Sequence, residues 1–286
     1  MNIRITADST CDLSPDYIEK HRIVIVPLTV TMGGRDYVDG RGIAPDDIFR
    51  HVSAGGDLPK TAAVNAADYR AAWEALLAED GCDAILHFNI SSDFSSCHEN
   101  AAAAAQHLDG GRTVRVVDSR NLSSGIALVL AEAVDMIEAG CDDIDALVRH
   151  CADIIPKVDA SFIIDRLDYL YKGGRCSMVA MLGANLLHLR PCIEVVDGKM
   201  IVGRKFRGAY SRCLKQYVED RLREPDRVDG KRIFITHTGV SREDFELVKA
   251  EVLARKPFRE VIEVRAGCSI TSHCGENTLG ILFNRV

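Results

Sequence analysis

Nowhere in the 286 residues is there an apolar run of about 18 that could form a membrane-crossing helix. Basic residues are the minority: 35 Lys and Arg against 42 Asp and Glu leave a net charge of −7, poor material for gripping a nucleic-acid backbone. A basic helix of the kind that enters a DNA groove is also missing, so a transcription factor is excluded. Ten cysteines and nine histidines are present, yet no C-x-x-C and no H-x-x-x-H brings two of them to metal-ligand spacing. The cysteines are too sparse for a disulfide scaffold and read as free thiols of a reducing compartment. Phosphate-cradling loops are absent in both common forms, G-x-x-x-x-G-K-[ST] and G-x-G-x-x-G, and so is the G-x-S-x-G elbow of serine hydrolases. The first eight residues, Met1 to Asp8, lack a basic-then-apolar leader and read as a first strand, which points to the cytoplasm.

What is present is ordinary core-forming material. At 47% hydrophobic the chain can bury a substantial interior, and its length suits two domains. Through the first half, strands alternate with helices. Strands are expected at Ile3–Ala7, within Arg22–Met32, at Cys82–Ile90 and at Thr113–Val117. Helices are expected after Ser14-Pro15, from the Asn65 cap to about Glu79, over Glu99–Leu108 and over Ser124–Ala139. The run Ile23-Val24-Ile25-Val26 suits a strand buried on both faces. Repeated β-then-α order predicts a parallel sheet covered by helices. The second half differs. A helix over Asp142–Val158 leads to strands at Ser161–Asp165, Arg232–Thr236, Val261–Val264 and Leu279–Phe283, with helices over Met178–His188 and Ser241–Ala254. A hairpin turning at Asp197-Gly198 completes a mixed-sheet α/β domain. The boundary falls near residue 158, giving domains 1–158 and 159–286.

Ligands of parallel sheets bind beyond the carboxyl ends of strands, where helix N-termini present free N–H groups. Three such corners are rich in small polar residues: Asp8 to Ser14, Ser91 to Cys97, and Asp118 to Gly125. Hydroxyls and N–H groups suit an anion such as a carboxylate, although Ser, Thr, Asp and Asn are also simply what helix starts select. Near the C-terminus, His273 stands beside Cys274. Neighbours in sequence rarely face one another, so His273 reads as a hydrogen-bond donor of a site rather than as half of a thiol nucleophile. Asp8, Asp12 and Asp118 serve as cap and turn residues and need no metal.

These residues resemble the DegV family, which includes the fatty-acid-binding subunits of bacterial fatty acid kinase. The resemblance runs through Asp8-Ser9-Thr10-Cys11-Asp12-Leu13, Pro59-Lys60-Thr61, Ile90-Ser91-Ser92 with Phe94-Ser95, and Val117-Asp118-Ser119-Arg120. It continues through Leu167 to Ser177, including Lys172-Gly173-Gly174-Arg175, then Arg190-Pro191, Arg207-Gly208 and His273-x-Gly275. It implies a three-layer parallel-sheet domain joined to a mixed-sheet domain, with a long-chain fatty acid held between them and no other cofactor. Thr61, Ser95 and His273 match the family's head-group positions, Ser92 lies in the same motif, and Arg207 falls where the family has a basic residue associated with the kinase. Two departures thin the head-group contacts: Ala62 stands where a serine is usual, and Cys97 where a threonine is.

The reading is therefore a lipid carrier without a catalytic site of its own. It presents a fatty acid to the ATP-binding subunit of a fatty acid kinase, which forms the acyl-phosphate, and it leaves room for peripheral contact with a membrane during ligand exchange. The rival is a stand-alone enzyme, either a small-molecule kinase or a thiol hydrolase.

Overall fold

The computed structural model describes residues 1–79, 81–106, 108, 113–176 and 189–286. The expected helix over 178–188 lies outside them. Strands β1 (Ile3–Asp8), β2 (Val24–Val26), β6 (Ala84–Asn89) and β7 (Thr113–Asp118) form a four-stranded sheet in the order β2-β1-β6-β7, parallel throughout. Every residue of β6 is buried, as expected for a strand covered on both faces. Helices α3 (Ala66–Leu77), α4 (Cys97–Gln106), α5 (Ser124–Glu138) and α6 (Ile144–Ile154) pack on this sheet. Asn65 caps α3 by accepting from Asp68 N at 2.9 Å, and Asp143 caps α6 by accepting from Asp145 N and Ala146 N.

The run at 22–32 does not make one doubly buried strand. Pro27 ends it after Val26, because proline has no N–H for a ladder. Val24–Val26 becomes the edge strand β2, with Val24 and Ile25 half-buried, and Thr29–Met32 (β3) turns into another sheet. That sheet is small and antiparallel, in the order β4-β3-β5, with β4 at Arg35–Val38 and β5 at Lys60–Ala62. Helix α1 (Pro15–Lys20) follows β1, and α2 (Pro45–Ser53) runs between β4 and β5.

The second sheet has six strands in the order β10-β9-β8-β13-β11-β12 and is mixed, with β11 and β12 parallel and its other pairs antiparallel. Its members are β8 (Val158–Ile163), β9 (Leu189–Val196), β10 (Lys199–Arg207), β11 (Val228–His237), β12 (Glu260–Arg265) and β13 (Leu279–Arg285). Helix α6 stops at Ile154 and a short 3-10 turn at Ile155–Lys157 hands over to β8. The helix is therefore shorter than expected and the strand begins earlier, at Val158. Asp197 and Gly198 have φ of 50° and 79°, the left-handed pair a two-residue hairpin turn requires. Helices α8 (Tyr210–Arg221) and α9 (Arg242–Arg255) cover one face.

The two sheets share α5. From Ser124 to Val134 every residue of this helix is buried, the signature of a helix with no solvent face. One side meets β6; the other meets β8, β11 and β13, and Ser124 Oγ lies 2.6 Å from Thr236 Oγ1 of β11. A single apolar core consequently runs from Ile3 and Phe88 through α5 to Phe162, Phe234 and Leu282.

Candidate functional site

The residues from Gly267 to Gly275, which the sequence presents as a polar tail, fold into the short helix α10 (Cys268–Cys274). Although it arrives late in the chain, α10 packs against β3, β5 and α2 of the first half. Cys268 joins Val30, Ile43 and Ile48 in a small apolar cluster, and its Sγ reaches Ile43 O at 3.6 Å. This docking carries His273 onto β5, where Thr61 Oγ1 lies 2.8 Å from His273 Nε2 across 212 residues of chain. Burial pushes the imidazole pKa down to about 4, with the nearby Arg175 charge adding to the shift. The ring is therefore neutral at pH 7, with one nitrogen a donor and the other an acceptor.

His273 Nδ1 is buried and has no hydrogen-bond partner among the described residues. It faces Gly173, the last residue of α7 (Leu167–Gly173). A methyl group on Gly173 would sit 2.5 Å from Nδ1. The missing side chain thus lets the imidazole lie directly against the backbone of α7, with Nδ1 left as an unsatisfied buried nitrogen. Whichever tautomer is present, the Thr61–His273 pair offers one outward proton. Either Thr61 donates to Nε2 and Nδ1–H points toward Gly173, or Nε2–H donates to Thr61 and the hydroxyl proton is free.

Ser95 lies in the loop before α4. Its Oγ accepts from Cys97 N at 3.3 Å and donates to Cys97 Sγ at 3.1 Å. A thiol is a weak acceptor, so this proton is easily redirected to a carboxylate. Arg175 links the loop to the pair: its Nη1 donates to Gly173 O at 2.6 Å and its Nε to Phe94 O at 3.4 Å. Sequence reasoning passed over Arg175 as a site residue, although it closes the Lys172-Gly173-Gly174-Arg175 run. On the other side, Asn100 Nδ2 donates to Val64 O at 2.7 Å and ties α4 to the loop leaving β5.

Ser92 is oriented differently. Its hydroxyl donates to Asp118 at 2.6 Å and accepts from Arg120 at 3.0 Å, while Arg120 also pairs with Asp93 at 2.6 Å. That cluster grips the hairpin turn of the second sheet, helped by Ser91 Oγ donating to Gly198 O at 2.8 Å and by Arg120 reaching Asp197 O. Most polar groups of the three sheet-edge corners are spent in this way, on joining elements. Asp8 accepts from Tyr69 OH at 2.5 Å, from Asn89 Nδ2 and from Ile90 N in a buried knot, and Asp12 and Ser9 engage α10 and the β4 end. Arg207 ends β10 on the sheet edge, exposed and without an ion pair among the described residues.

An apolar cavity of about 30 Å³ adjoins α10, lined by Leu122, Phe162, Ile270, Cys274 and Leu282 among others. Ile270 precedes His273 by one helical turn. The space equals about one water's share of liquid volume, so a longer ligand enters only by parting the surrounding side chains. The Cys274 thiol is buried and pushed up to about 12, hence protonated and a poor nucleophile.

The sequence profile of the DegV family of uncharacterised proteins matches residues 2–285. The chain belongs to the DegV family. A fatty acid-binding protein of Thermotoga maritima is 30% identical over 288 residues, spanning 98% of this chain and 96% of that one. Among solved DegV structures, a lipid-binding protein from Thermotoga maritima superposes with a TM-score of 0.87 at 28% identity, covering 100% of this chain and 99% of that one. A Thermus thermophilus DegV protein described by its fatty acid binding gives 0.89 at 25% identity with both chains fully covered. A stearic acid-binding protein from Eubacterium ventriosum gives 0.87 at 26%, covering 99% and 98%. The parallel three-layer half and the mixed-sheet half expected from the DegV resemblance are thus both present.

Proposed function

We propose that this DegV protein is a fatty-acid carrier, with the carboxylate held at Thr61, His273 and Ser95 and the acyl chain directed into the core beside α10. The observation that carries the reading is the buried Nδ1 of His273, which lies against Gly173 and has no hydrogen-bond partner among the described residues. A neutral donor pair and a redirectable serine hydroxyl match what a carboxylate needs, and Arg175 adds a nearby positive charge without a covalent role. DegV relatives described as fatty-acid-binding, similar over the whole chain, support the same ligand class. The carried acid serves a separate ATP-dependent kinase: a carboxylate oxygen attacks the γ-phosphorus, ADP leaves, and an acyl-phosphate forms. Arg207, an exposed cation on an edge strand with no ion pair among the described residues, suits the docking of that kinase. A protonated Cys274 and a His273 ring bonded to Thr61 speak against a thiol hydrolase. Mass spectrometry of an organic extract of the purified protein is the direct test. A co-purifying long-chain fatty acid near one per chain is expected; a protein that carries none and takes up none when offered overturns the proposal.

A further inference from the structure

Helix α10 has an N-terminus closed by two acidic side chains from distant parts of the first half. Asp12, in the turn after β1, accepts from Gly267 N at 2.8 Å, and Asp39, just after β4, accepts from Cys268 N at 3.0 Å. Both are buried, and each is itself oriented by a serine: Ser123 Oγ donates to Asp12 at 2.5 Å, and Ser9 Oγ donates to Asp39 at 2.8 Å. Asp39 and Thr61 mark the two outer strands of the β4-β3-β5 sheet. Two strand spacings separate those strands by about 10 Å. From Cys268 to His273 the helix rises five residues, about 7.5 Å. The helix therefore lies on the small sheet pinned at both ends, by Asp39 at its first residue and by Thr61 at His273.

We infer that Asp12 and Asp39 are positioning residues of the head-group site, holding α10 so that His273 stays seated between Thr61 and Gly173. Carboxylates at the first amides of a helix satisfy N–H groups that have no partner within it, and the helix dipole favours them there. A seven-residue helix has too few internal bonds to hold its own place, so its register comes from these contacts. The role is distinct from touching ligand: both carboxylates are bonded to the amides at the start of α10, and a negative charge at the head-group site would repel a fatty acid.

The inference rests on the head-group reading of Thr61 and His273, and the test separates the two. In protein with isotopically labelled imidazoles, NMR follows the His273 titration, alongside stearate affinity and the thermal midpoint. In Asp39→Ala the His273 midpoint is expected to move up from about 4 toward its ordinary value of 6.5, with stearate affinity lowered at least tenfold. Asp39→Asn keeps the acceptor for Cys268 N and is expected to restore both, and Asp12→Ala and Asp12→Asn should form a parallel pair. A folded Asp39→Ala protein with unchanged titration and unchanged affinity overturns the inference, as does an asparagine variant no better than the alanine one. If Asp39→Ala does not fold, Ser9→Ala, which removes only the hydroxyl orienting Asp39, is expected to shift the titration in the same direction; no shift there overturns it. If the parent binds no stearate, the head-group reading falls, while the His273 titration still decides the clamp.

Discussion

Replacing Gly173 by alanine separates ligand recognition from folding. Gly173 closes α7 and its φ lies outside the left-handed region, so the backbone accepts alanine without strain. Helix propensity favours the change by up to about 1 kcal/mol. The added methyl, however, sits 2.5 Å from His273 Nδ1, 3.4 Å from Cε1 and 3.5 Å from Cγ. The first distance is far inside van der Waals contact. The ring relieves it only by swinging away and loosening its 2.8 Å bond to Thr61, which displaces the proposed donor. One hydrogen bond to a carboxylate is worth about 1.5–3 kcal/mol, so affinity should fall by about 10- to 150-fold. The thermal midpoint should stay within a few degrees of the parent. Displacement of a fluorescent fatty acid, read beside calorimetric melting, measures both. If Gly173→Ala binds as tightly as the parent, His273 does not contact the head group.

Thr61→Val and Ser95→Ala should each weaken fatty-acid binding by about 10- to 150-fold with little change of fold, and the double variant should fall short of the sum because both serve one carboxylate. Isothermal titration of the three variants checks this. Stability against pH should show two opposed contributions. The depressed His273 costs stability as pH falls from 6.5 through about 4, because the unfolded state takes the proton first. Asp12, raised by burial to about 7, costs stability as pH rises from 3.8 through 7, because the unfolded state loses the proton first. Each shift corresponds to about 3–4 kcal/mol, so between pH 4 and 6.5 they nearly cancel. Relative to the parent, chemical denaturation across this window should therefore slope more upward with pH in Asp12→Asn and more downward in His273→Gln. Arg207→Ala should leave fatty-acid retention unchanged while lowering acyl-phosphate formation in a coupled assay with the kinase; loss of retention instead would move Arg207 into the head-group site.

Local pattern carried the reading furthest where one element decides its own structure. The Asn65 and Asp143 caps, the left-handed Asp197-Gly198 turn and the apolar β6 run all announce themselves within a few residues, and the structure has each of them. Pattern misled at Pro27, where the apolar run was read through a residue that cannot continue a ladder, and β2 shrank to an edge strand. The small β4-β3-β5 sheet went unread because its strands are three or four residues long, too short for any period to show.

The site was legible only as a set of residue types. That Thr61 and His273 belong together came from family resemblance, since 212 intervening residues leave no local trace of the contact. The missing link was α10. Gly267-Cys268-Ser269-Ile270-Thr271-Ser272-His273-Cys274 has weak helix formers throughout and no capping side chain of its own, so nothing local marks it as a helix. Its caps come from Asp12 and Asp39, more than two hundred residues away, and its apolar contacts from Val30, Ile43 and Ile48. Asp12 reads in sequence as an ordinary cap or turn residue and nothing singles out Asp39, because a carboxylate that caps a distant helix looks no different from one that caps its own. A helix held by partners elsewhere in the chain takes its place only when those partners have taken theirs. The proposed head-group site is accordingly completed by the docking of α10 on the small sheet of the first half, and its polar residues are legible only once that docking is known.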